Sequence, residues 1–298
     1  MKSLEEVVED IVVKLLFYSV TELPLDVEEA LKNALRLEKE ELAKKQLEII
    51  VKNIEYAKKR RVPICQDTGT ITFYVKAGLN FPLIDRVSNI LVKATKAATN
   101  LIPLRSNAVD PFTGSNTGDN TGVGVPCIHW EIVKGGDLEL TVLPKGGGSE
   151  NASMLKMVKP TEGINGIKKA VLEAVVEAGG RPCPPTIIGV GIGGGADVAM
   201  GLAKKAILRP INIRHSHPII AKLEKEICKL ANETGIGPMG LGGKTTVLGV
   251  NIEYAYRHPA SLPVGIIMQC WAARRAAVRI TGEGNVKFLS HVERNEDG

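Results

Sequence analysis

The sequence predicts a mixed α/β (α+β) fold, in which a helical N-terminal region is followed by a mixed-sheet core. Three observations predict this class. Apolar residues recur at helical spacing in the N-terminal part, and after Pro63 short apolar runs typical of buried strands alternate with further helical patterns. No segment of disordered composition divides the chain. We therefore expect a single domain over residues 1–298, with a helical region at 1–60 and a site-bearing core at 61–285.

The N-terminal region contains two stretches with helical periodicity. Residues 3–18 have an apolar face, and Ser3 with Glu6 forms a capping-box pattern at their start. Residues 26–60 are expected to form one or two amphipathic helices. They end in a run of basic residues, which would complement the dipole at a helix C-terminus. This run comprises Lys58, Lys59, Arg60 and Arg61.

The core is expected to alternate strands and helices. Up to residue 144, the expected elements are a strand at 71–78, a helix at 83–100, a polar loop at 105–124, and strands at 127–133 and 138–144. The last two strands should pair as a hairpin about the Gly135-Gly136-Asp137 turn. Beyond them we expect helices at 163–179, 196–207 and 217–235, and strands at 186–193, 246–256 and 264–270.

Composition narrows the classes of function. The net charge of +5 is spread along the chain and not gathered in one basic patch. It therefore indicates nucleic-acid binding only weakly, and binding of anionic small molecules explains this charge equally well. No uncharged stretch reaches 18 residues, and no transmembrane helix is therefore expected. The N-terminus is rich in acidic residues, unlike a signal peptide, and this predicts a cytoplasmic protein.

The cysteines fall into two groups. The odd count of 5 and the lack of a C-x-x-C motif argue against a disulfide framework or a local zinc ribbon. Cys65, Cys183 and Cys270 stand at loop or strand ends, the first two close to prolines, and are well placed to converge on a ligand. Cys127 and Cys228 are expected to be small buried hydrophobic residues.

Three thiolates can hold zinc or a cubane iron–sulfur cluster. A structural zinc ion normally needs a fourth protein ligand and short ligand spacings. A cluster held by three cysteines leaves one iron open to substrate, and that iron could act as a Lewis acid. Polar groups suited to a dicarboxylate accompany the cysteines in the sequence. They are Gln66, Asp67, Arg105, the Gly-rich turn at 145–151 and His258.

Several long segments carry a resemblance to a known family. They are ICQDTGT (64–70), PLRSNAVDPFTGSNTGDNTG (103–122), PKGGGSEN (144–151), PPTIIGVGIGGGAD (184–197), GPMGLGGKTT (237–246), YAYRHPASLPVGI (254–266) and QCWAARRA (269–276). In these segments the chain resembles the α subunit of the two-subunit class I fumarate hydratases, the iron–sulfur hydro-lyases that include the L(+)-tartrate dehydratases. The resemblance implies the mixed-sheet core of that α-subunit type.

The resemblance also implies a set of functional residues. The ligands of a [4Fe-4S] cluster would be Cys65, Cys183 and Cys270. The residues lining the substrate would be Gln66, Asp67, Arg105, Gly148 and His258. Among them, Asp67 would be the catalytic residue and would hydrogen-bond the reacting hydroxyl, while Arg105 would clamp a carboxylate. The catalytic base would come from a β subunit. We expect an α2β2 heterotetramer, because paired symmetric protomers are the commonest closed arrangement.

The resulting expectation is a hydro-lyase of the tricarboxylic acid cycle that interconverts fumarate and (S)-malate and is active only with its β subunit. Dehydration of L(+)-tartrate is the alternative within the class. A more remote alternative is a subunit whose cluster senses oxidants, although such a sensor would not need a dicarboxylate clamp.

Three short motifs allow competing interpretations. Residues 189–194 match the dinucleotide-binding pattern G-x-G-x-x-G. Arg214 stands where NAD-binding proteins have an acidic residue for the ribose hydroxyl. An arginine there could instead bind the 2′-phosphate of NADP, so NADP is the dinucleotide that this pattern leaves open. A P-loop is excluded because Pro238 replaces its first glycine. His215 and His217 could bind a metal, although a helix-capping or solvent-facing pair is the favoured interpretation.

Overall fold

The computed structural model describes residues 2–291. Its helices are α1 (Leu4–Thr21), α2 (Leu25–Leu37), α3 (Glu41–Arg60), α4 (Val87–Leu101), α5 (Gly147–Glu150), α6 (Gly163–Ala178), α7 (Ala196–Ala206) and α8 (Pro218–Asn232). Its strands are β1 (Thr70–Gly78), β2 (Cys127–Val133), β3 (Leu138–Lys145), β4 (Met154–Val158), β5 (Thr186–Ile192), β6 (Val247–Tyr254), β7 (Leu262–Gln269), β8 (Ala276–Ile280) and β9 (Val286–Phe288). Within the described part of the chain, no helix is long and apolar enough to cross a membrane.

These elements form two compact units, each assembled from separate stretches of the chain. The first unit comprises Met1–Leu25, Ile54–Lys145 and Arg274–Gly298, and the second comprises Asp26–Asn53 and Gly146–Ala273. The unit boundaries therefore differ from the division after residue 60 that the sequence suggests. That the chain acts as one domain stays a prediction.

The first unit is built on a five-stranded sheet in the order β2-β1-β3-β8-β9. Strand β1 is parallel to β2, and every other pairing is antiparallel. Helices α1 and α4 supply apolar side chains to the core of this unit, and Leu16 of α1 and Leu91 of α4 belong to the same buried cluster as Phe73 of β1. The capping box of Ser3 and Glu6 is present at the start of α1, as predicted.

The predicted hairpin of β2 and β3 is wrong. Both strands exist, but β1 lies between them and pairs with each. The Gly135 turn wraps around the end of β1, where the Gly78 N–H donates to the Asp137 carbonyl at 2.8 Å. A Cβ atom at Gly78 would lie 2.4 Å from the Gly135 carbonyl oxygen, so this close approach requires glycine. Short sequence separation therefore did not decide strand pairing here.

The second unit contains a four-stranded sheet in the order β4-β7-β5-β6. Strand β5 is parallel to β6 and antiparallel to β7, while β4 is antiparallel to β7. Helix α7 packs directly on β5. At Gly191 an added Cβ would lie 1.9 Å from the Ala199 carbonyl oxygen, and at Gly189 it would lie 2.1 Å from that of Ala203. The backbones of helix and strand approach so closely only because these positions are glycines.

The mixed α/β class and the predicted helices are confirmed. The stretch at 26–60 contains two helices, α2 and α3, and the basic residues end α3 as expected. Three strands were not predicted from the sequence, and each has only three to five residues. They are β4, β8 and β9. Such short elements carry too few side chains for a period of two to be recognised.

Candidate active site

The loop after α3 carries Cys65, Gln66 and Asp67, all in the first unit. The Asp67 Oδ1 atom accepts the Gly69 backbone N–H at 2.9 Å, which closes an Asx turn and fixes this carboxylate. The Cys65 Sγ atom lies 3.6 Å from the Gln66 Oε1 atom. Gly69 has φ +84°, and a Cβ there would lie 2.6 Å from the Pro144 carbonyl carbon. Only glycine allows the loop to turn into β1 at this point.

Arg105 is attached to this loop through its backbone. The Arg105 N–H donates to Thr68 Oγ1 at 3.0 Å, and Asn107 Nδ2 donates to the Gly69 carbonyl at 3.0 Å. Thr68 is buried, whereas the Arg105 side chain is exposed. The structure thus brings Arg105 beside Asp67. We refer to Cys65, Gln66, Asp67 and Arg105 as the loop cluster.

Asn120 is the buried polar residue that orders the long loop at 105–124. Its Nδ2 atom donates to the Arg105 carbonyl at 3.0 Å and to Thr99 Oγ1 at 3.1 Å, and its Oδ1 atom accepts the Asn107 N–H at 2.7 Å. Its φ of +59° is left-handed, a conformation that Asn tolerates better than most residues. Sequence reasoning missed Thr68, Asn107 and Asn120 as supports of the site, although the Asn-rich composition of this loop was a signal.

The neighbouring Asp119 strengthens the same loop. Its carboxylate accepts the Thr121 hydroxyl at 2.7 Å and the Thr121 backbone N–H at 3.0 Å, and it forms an ion pair with Lys96 at 3.2 Å. The hydrogen bond from the Thr121 side chain is the main cause that lowers the pKa of Asp119 to about 2. The loop is therefore tied down by an ionised carboxylate at neutral pH.

Cys183 and Cys270 are brought together in the second unit by strand pairing. Cys183 precedes β5 and Cys270 follows β7, and the antiparallel register places Ile187 opposite Gln269. The start of β5 and the end of β7 therefore share one end of the sheet. The Trp271 N–H donates to the Cys183 carbonyl at 3.1 Å, which joins the two cysteine segments directly.

Gly148 lies at the same end of this sheet. It belongs to the short helix α5, which precedes β4, and the register of β4 on β7 places Met154 opposite Ile266. A Cβ at Gly148 would lie 3.9 Å from the Arg181 carbonyl oxygen, two residues before Cys183, with no closer contact. Gly148 is exposed. We refer to Gly148, Cys183 and Cys270 as the strand-end cluster.

His258 lies at the opposite end of the same sheet. It stands between the end of β6 and the start of β7, and β7 has eight residues. At about 3.3 Å per residue, β7 spans roughly 23 Å, and the segments that carry His258 and Cys270 leave this strand at opposite ends. The His258 Nδ1 atom accepts the Ala260 N–H at 3.1 Å, so in the neutral imidazole the proton is on Nε2. The exposed ring therefore offers a hydrogen-bond donor.

Comparison with known proteins shows the family to which this chain belongs. The family model described as fumarate hydratase (Fumerase) matches residues 9–279. The chain belongs to the fumarate hydratase (Fumerase) family. The predicted family and the predicted enzyme class, a hydro-lyase, are confirmed.

Individual members of the fumarate hydratase family are similar in sequence to this chain over most of their length. A Methanocaldococcus jannaschii protein provisionally named L(+)-tartrate dehydratase subunit alpha is 48% identical over 277 residues, which are 92% of this chain and 97% of that protein. The L(+)-tartrate dehydratase subunit alpha of Escherichia coli strain UTI89 is 41% identical over 272 residues, 91% of this chain and 90% of its own. The protein of the same name from Escherichia coli strain K12 is 40% identical over the same shares.

The donor chemistry of this family member fits an iron–sulfur cluster. None of the five cysteines forms a disulfide bond, and the three predicted ligands are partly exposed, so that a bound group could reach them. Over residues 2–291, no three His, Cys, Asp or Glu side chains already surround one metal-ion position. The assignment of Cys65, Cys183 and Cys270 as cluster ligands stays a prediction.

The two remaining cysteines differ from each other. Both are half-buried, so neither is the fully buried residue that the sequence predicted. Cys228 packs against the apolar core of the second unit, and burial raises the pKa of its thiol. Cys127 is partly exposed, and its Sγ atom lies 3.5 Å from the Nε2 atom of His129.

The competing motif interpretations find no support in the fold. Gly189 and Gly191 serve the close packing of α7 on β5, which accounts for these glycines without a dinucleotide. His217 caps α8, since its Nδ1 atom accepts the Ile219 N–H at 3.3 Å. The Nδ1 atom of His215 accepts the His217 N–H at 2.9 Å. Helix capping is thus the observed role of this pair.

Proposed function

We propose that this chain is the α subunit of a [4Fe-4S] hydro-lyase that reversibly hydrates fumarate to (S)-malate. The observation that carries the proposal is the strand-end cluster in a chain of the fumarate hydratase family: antiparallel pairing sets Cys183 and Cys270 on adjacent strand ends. The relatives are named as alpha subunits, which supports a partner β subunit.

The cofactor would be held by Cys65, Cys183 and Cys270. When bound, a cluster with only three protein ligands supplies a Lewis-acidic iron to the hydroxyl and one carboxylate of the substrate. Thiolate ligands suit this group because sulfur is the donor that iron–sulfur clusters require. The backbone around Cys183 is constrained, with φ +52° and an N–H donated to the Gly180 carbonyl at 3.0 Å, which fixes the direction of the side chain.

The loop cluster would bind and orient the dicarboxylate. Asp67 is held by the Gly69 N–H, so its carboxylate can meet the reacting hydroxyl with little loss of freedom. Arg105 has its backbone tied at both the N–H and the carbonyl while its guanidinium remains exposed. A guanidinium so mounted can take a carboxylate through two parallel hydrogen bonds. Gln66 would add an amide contact beside them.

The remaining predicted contacts divide between the two ends of the second unit's sheet. Gly148 would offer a backbone N–H near Cys183 and Cys270. His258 would donate Nε2–H to a carboxylate from the other end of β7, a strand that spans roughly 23 Å. A C4 dicarboxylate is much shorter than this strand. We propose that, in an α2β2 assembly, His258 of one copy contacts the substrate held by another copy.

The base that removes the C–H proton is assigned to the β subunit. In the neutral tautomer that the Ala260 N–H selects, His258 presents a donor and does not present a proton acceptor. We therefore propose that a residue of the β subunit, and not His258, removes the proton. Water would also have to be excluded from the site, and a partner subunit would do this by covering it.

The proposal is tested by anaerobic steady-state assays of the reconstituted α chain alone, the β subunit alone and both together. Fumarate, (S)-malate and both tartrate enantiomers serve as substrates, because the relatives are named for L(+)-tartrate. We expect turnover of fumarate only with both subunits. Preferred turnover of L(+)-tartrate would replace the proposed substrate, and substantial turnover by the α chain alone would contradict the division of the site.

An Arg105→Ala variant tests whether Arg105 binds a carboxylate of the substrate. Loss of a desolvated carboxylate pairing should cost about 2–5 kcal/mol in transition-state stabilisation, seen as a fall in kcat/KM. Arg279→Ala is the matched control, since Arg279 pairs with Glu139 on the sheet of the same unit. That control should leave kcat/KM unchanged.

A further inference from the structure

A cysteine–histidine pair lies outside the candidate active site, on the edge strand β2. Within residues 2–291, β2 pairs only with β1. Side chains alternate along a strand, and Ile128 packs against the core of the first unit. Cys127 and His129 therefore share the opposite face. The Cys127 Sγ atom lies 3.5 Å from His129 Nε2, within hydrogen-bonding distance for sulfur.

The imidazole of His129 is held in place by the neighbouring strand. The parallel register sets Tyr74 of β1 opposite His129. Their rings stack with centroids 4.7 Å apart and an interplanar angle of 20°. The stack limits rotation of the histidine ring, so Nε2 stays close to the sulfur atom. This arrangement differs from a cysteine that merely happens to be exposed.

The pair has the parts that activate a thiol. An imidazole at this distance can take the thiol proton, and the resulting thiolate is the nucleophilic form of cysteine. Cys127 is partly exposed at the sheet edge, where a small reagent can approach. Cys228 lacks these conditions, because burial raises the pKa of its thiol. Cys228 therefore serves as the internal reference for the reaction rate of an unactivated cysteine.

We propose that Cys127, activated by His129, is a site of reversible modification by low-molecular-weight disulfides. The Cys127 thiolate attacks one sulfur of the disulfide RSSR, a new Sγ–S bond forms and the original S–S bond breaks. The leaving thiolate takes the proton from the His129 imidazolium and departs as RSH. The protein thiol is oxidised to a mixed disulfide while the reagent is reduced, and a second thiol reverses the exchange.

The test uses the full-length chain, purified anaerobically and treated with oxidised glutathione at pH 7. The rate of adduct formation at each cysteine is followed by peptide mass spectrometry. We expect Cys127 to react at least about 10-fold faster than Cys228, because His129 lies close enough to take the proton of the Cys127 thiol. Equal rates at the two cysteines would overturn the proposal.

Two variants separate activation by His129 from simple exposure. His129→Gln should slow modification of Cys127 by about 10-fold and change the pH dependence of the rate, because the glutamine amide cannot take the thiol proton. Tyr74→Phe keeps the stacking ring and should keep the wild-type rate. Far-UV circular dichroism confirms the fold of each variant. An unchanged rate with unchanged pH dependence in His129→Gln would show that exposure alone governs Cys127 and would refute the role of His129.

Discussion

The loop cluster and the strand-end cluster are positioned by different interactions. In the first unit, the Arg105 segment is held next to the Asp67 loop because the Arg105 N–H donates to Thr68 Oγ1 and the buried Asn120 side chain donates to the Arg105 carbonyl. In the second unit, Cys183 and Cys270 meet because β5 and β7 pair in antiparallel register. A sheet tolerates changes in surface side chains, whereas a loop held by a few polar groups depends on each of them. Substitutions in the two clusters should therefore have different consequences.

The largest effect is expected where the sheet of the second unit meets α7. Gly191→Ala would place a Cβ 1.9 Å from the Ala199 carbonyl oxygen, so the helix must move away from β5. We expect a loss of at least about 3 kcal/mol in the free energy of unfolding, measured by urea denaturation. Gly201→Ala on the same helix meets no atom within 4 Å and should stabilise the protein by about 0.5–1 kcal/mol. Equal effects of the two substitutions would contradict this packing argument.

The next effect concerns the support of the loop cluster. Asn120→Ala removes three hydrogen bonds and places alanine at φ +59°, so we expect a loss of about 2–3 kcal/mol. In the assembled enzyme, affinity for the dicarboxylate should fall as well, because Arg105 loses a partner of its carbonyl. Asn120→Gly removes the same bonds without the left-handed strain and should be less harmful.

Asn116→Ala provides the control in the same loop. Asn116 is exposed, although its side chain also bonds Ser106 and Gly118. Its loss should cost less than about 1 kcal/mol, since water can replace the exposed hydrogen bonds. If Asn116→Ala and Asn120→Ala prove equally destabilising by chemical denaturation, burial of Asn120 is not what orders the loop.

Acid should weaken the first unit through His291. Burial lowers the pKa of His291 to about 4, below the ordinary value of 6.5. Between these values the unfolded chain binds a proton that the folded chain does not, so stability falls as the pH drops from 6.5 toward 4. The slope should approach about 1 kcal/mol per pH unit. Below that range, protonation of Asp119, whose pKa is about 2, would weaken the loop further.

Hydrogen exchange of β1 and β5 at pH 6.5 and 5.5 would check this difference between the units. The protection of β1 should fall more than that of β5. His291→Phe keeps a ring against Tyr18, on which His291 stacks at 5.8 Å, and removes the titration. In that variant the additional acid sensitivity of β1 should disappear, and its persistence would assign the effect to other groups.

The smallest effect on stability is expected at Gly148. An added methyl group there has open space, with the Arg181 carbonyl oxygen 3.9 Å away, so Gly148→Ala should change unfolding by less than about 0.5 kcal/mol. If the substrate approaches the Gly148 backbone, KM should rise although the fold is intact. An unchanged KM in the assembled enzyme would remove Gly148 from the proposed binding residues.

Local patterns predicted much of this fold, and long-range contacts account for what they missed. The capping box of Ser3 and Glu6 was predictable because both partners lie within one helical turn. The pairing of β2 and β3 was not, because β1 enters between them from 50 residues earlier in the chain. The periodicity of β5 predicted a strand but could not show that β7 lies beside it.

The same distinction applies to the candidate site. Cys183 and Cys270 were identified by their position at strand ends, and the sheet explains why they meet. The supporting role of Asn120 depends on a left-handed backbone and on partners at residues 99, 105 and 107, which no spacing rule links. The pairing of Cys127 with His129 requires that both lie on an exposed strand face. The sequence had favoured a buried position for Cys127.

The central claim is that Cys65, Cys183 and Cys270 together hold one [4Fe-4S] cluster. Its most direct test is the iron and sulfide content of five Cys→Ser variants after anaerobic reconstitution. The wild-type chain, Cys127→Ser and Cys228→Ser should each bind about four iron and four sulfide ions per chain. Cys65→Ser, Cys183→Ser and Cys270→Ser should bind little of either while remaining folded. A full complement of iron and sulfide in any of these three variants would contradict the claim.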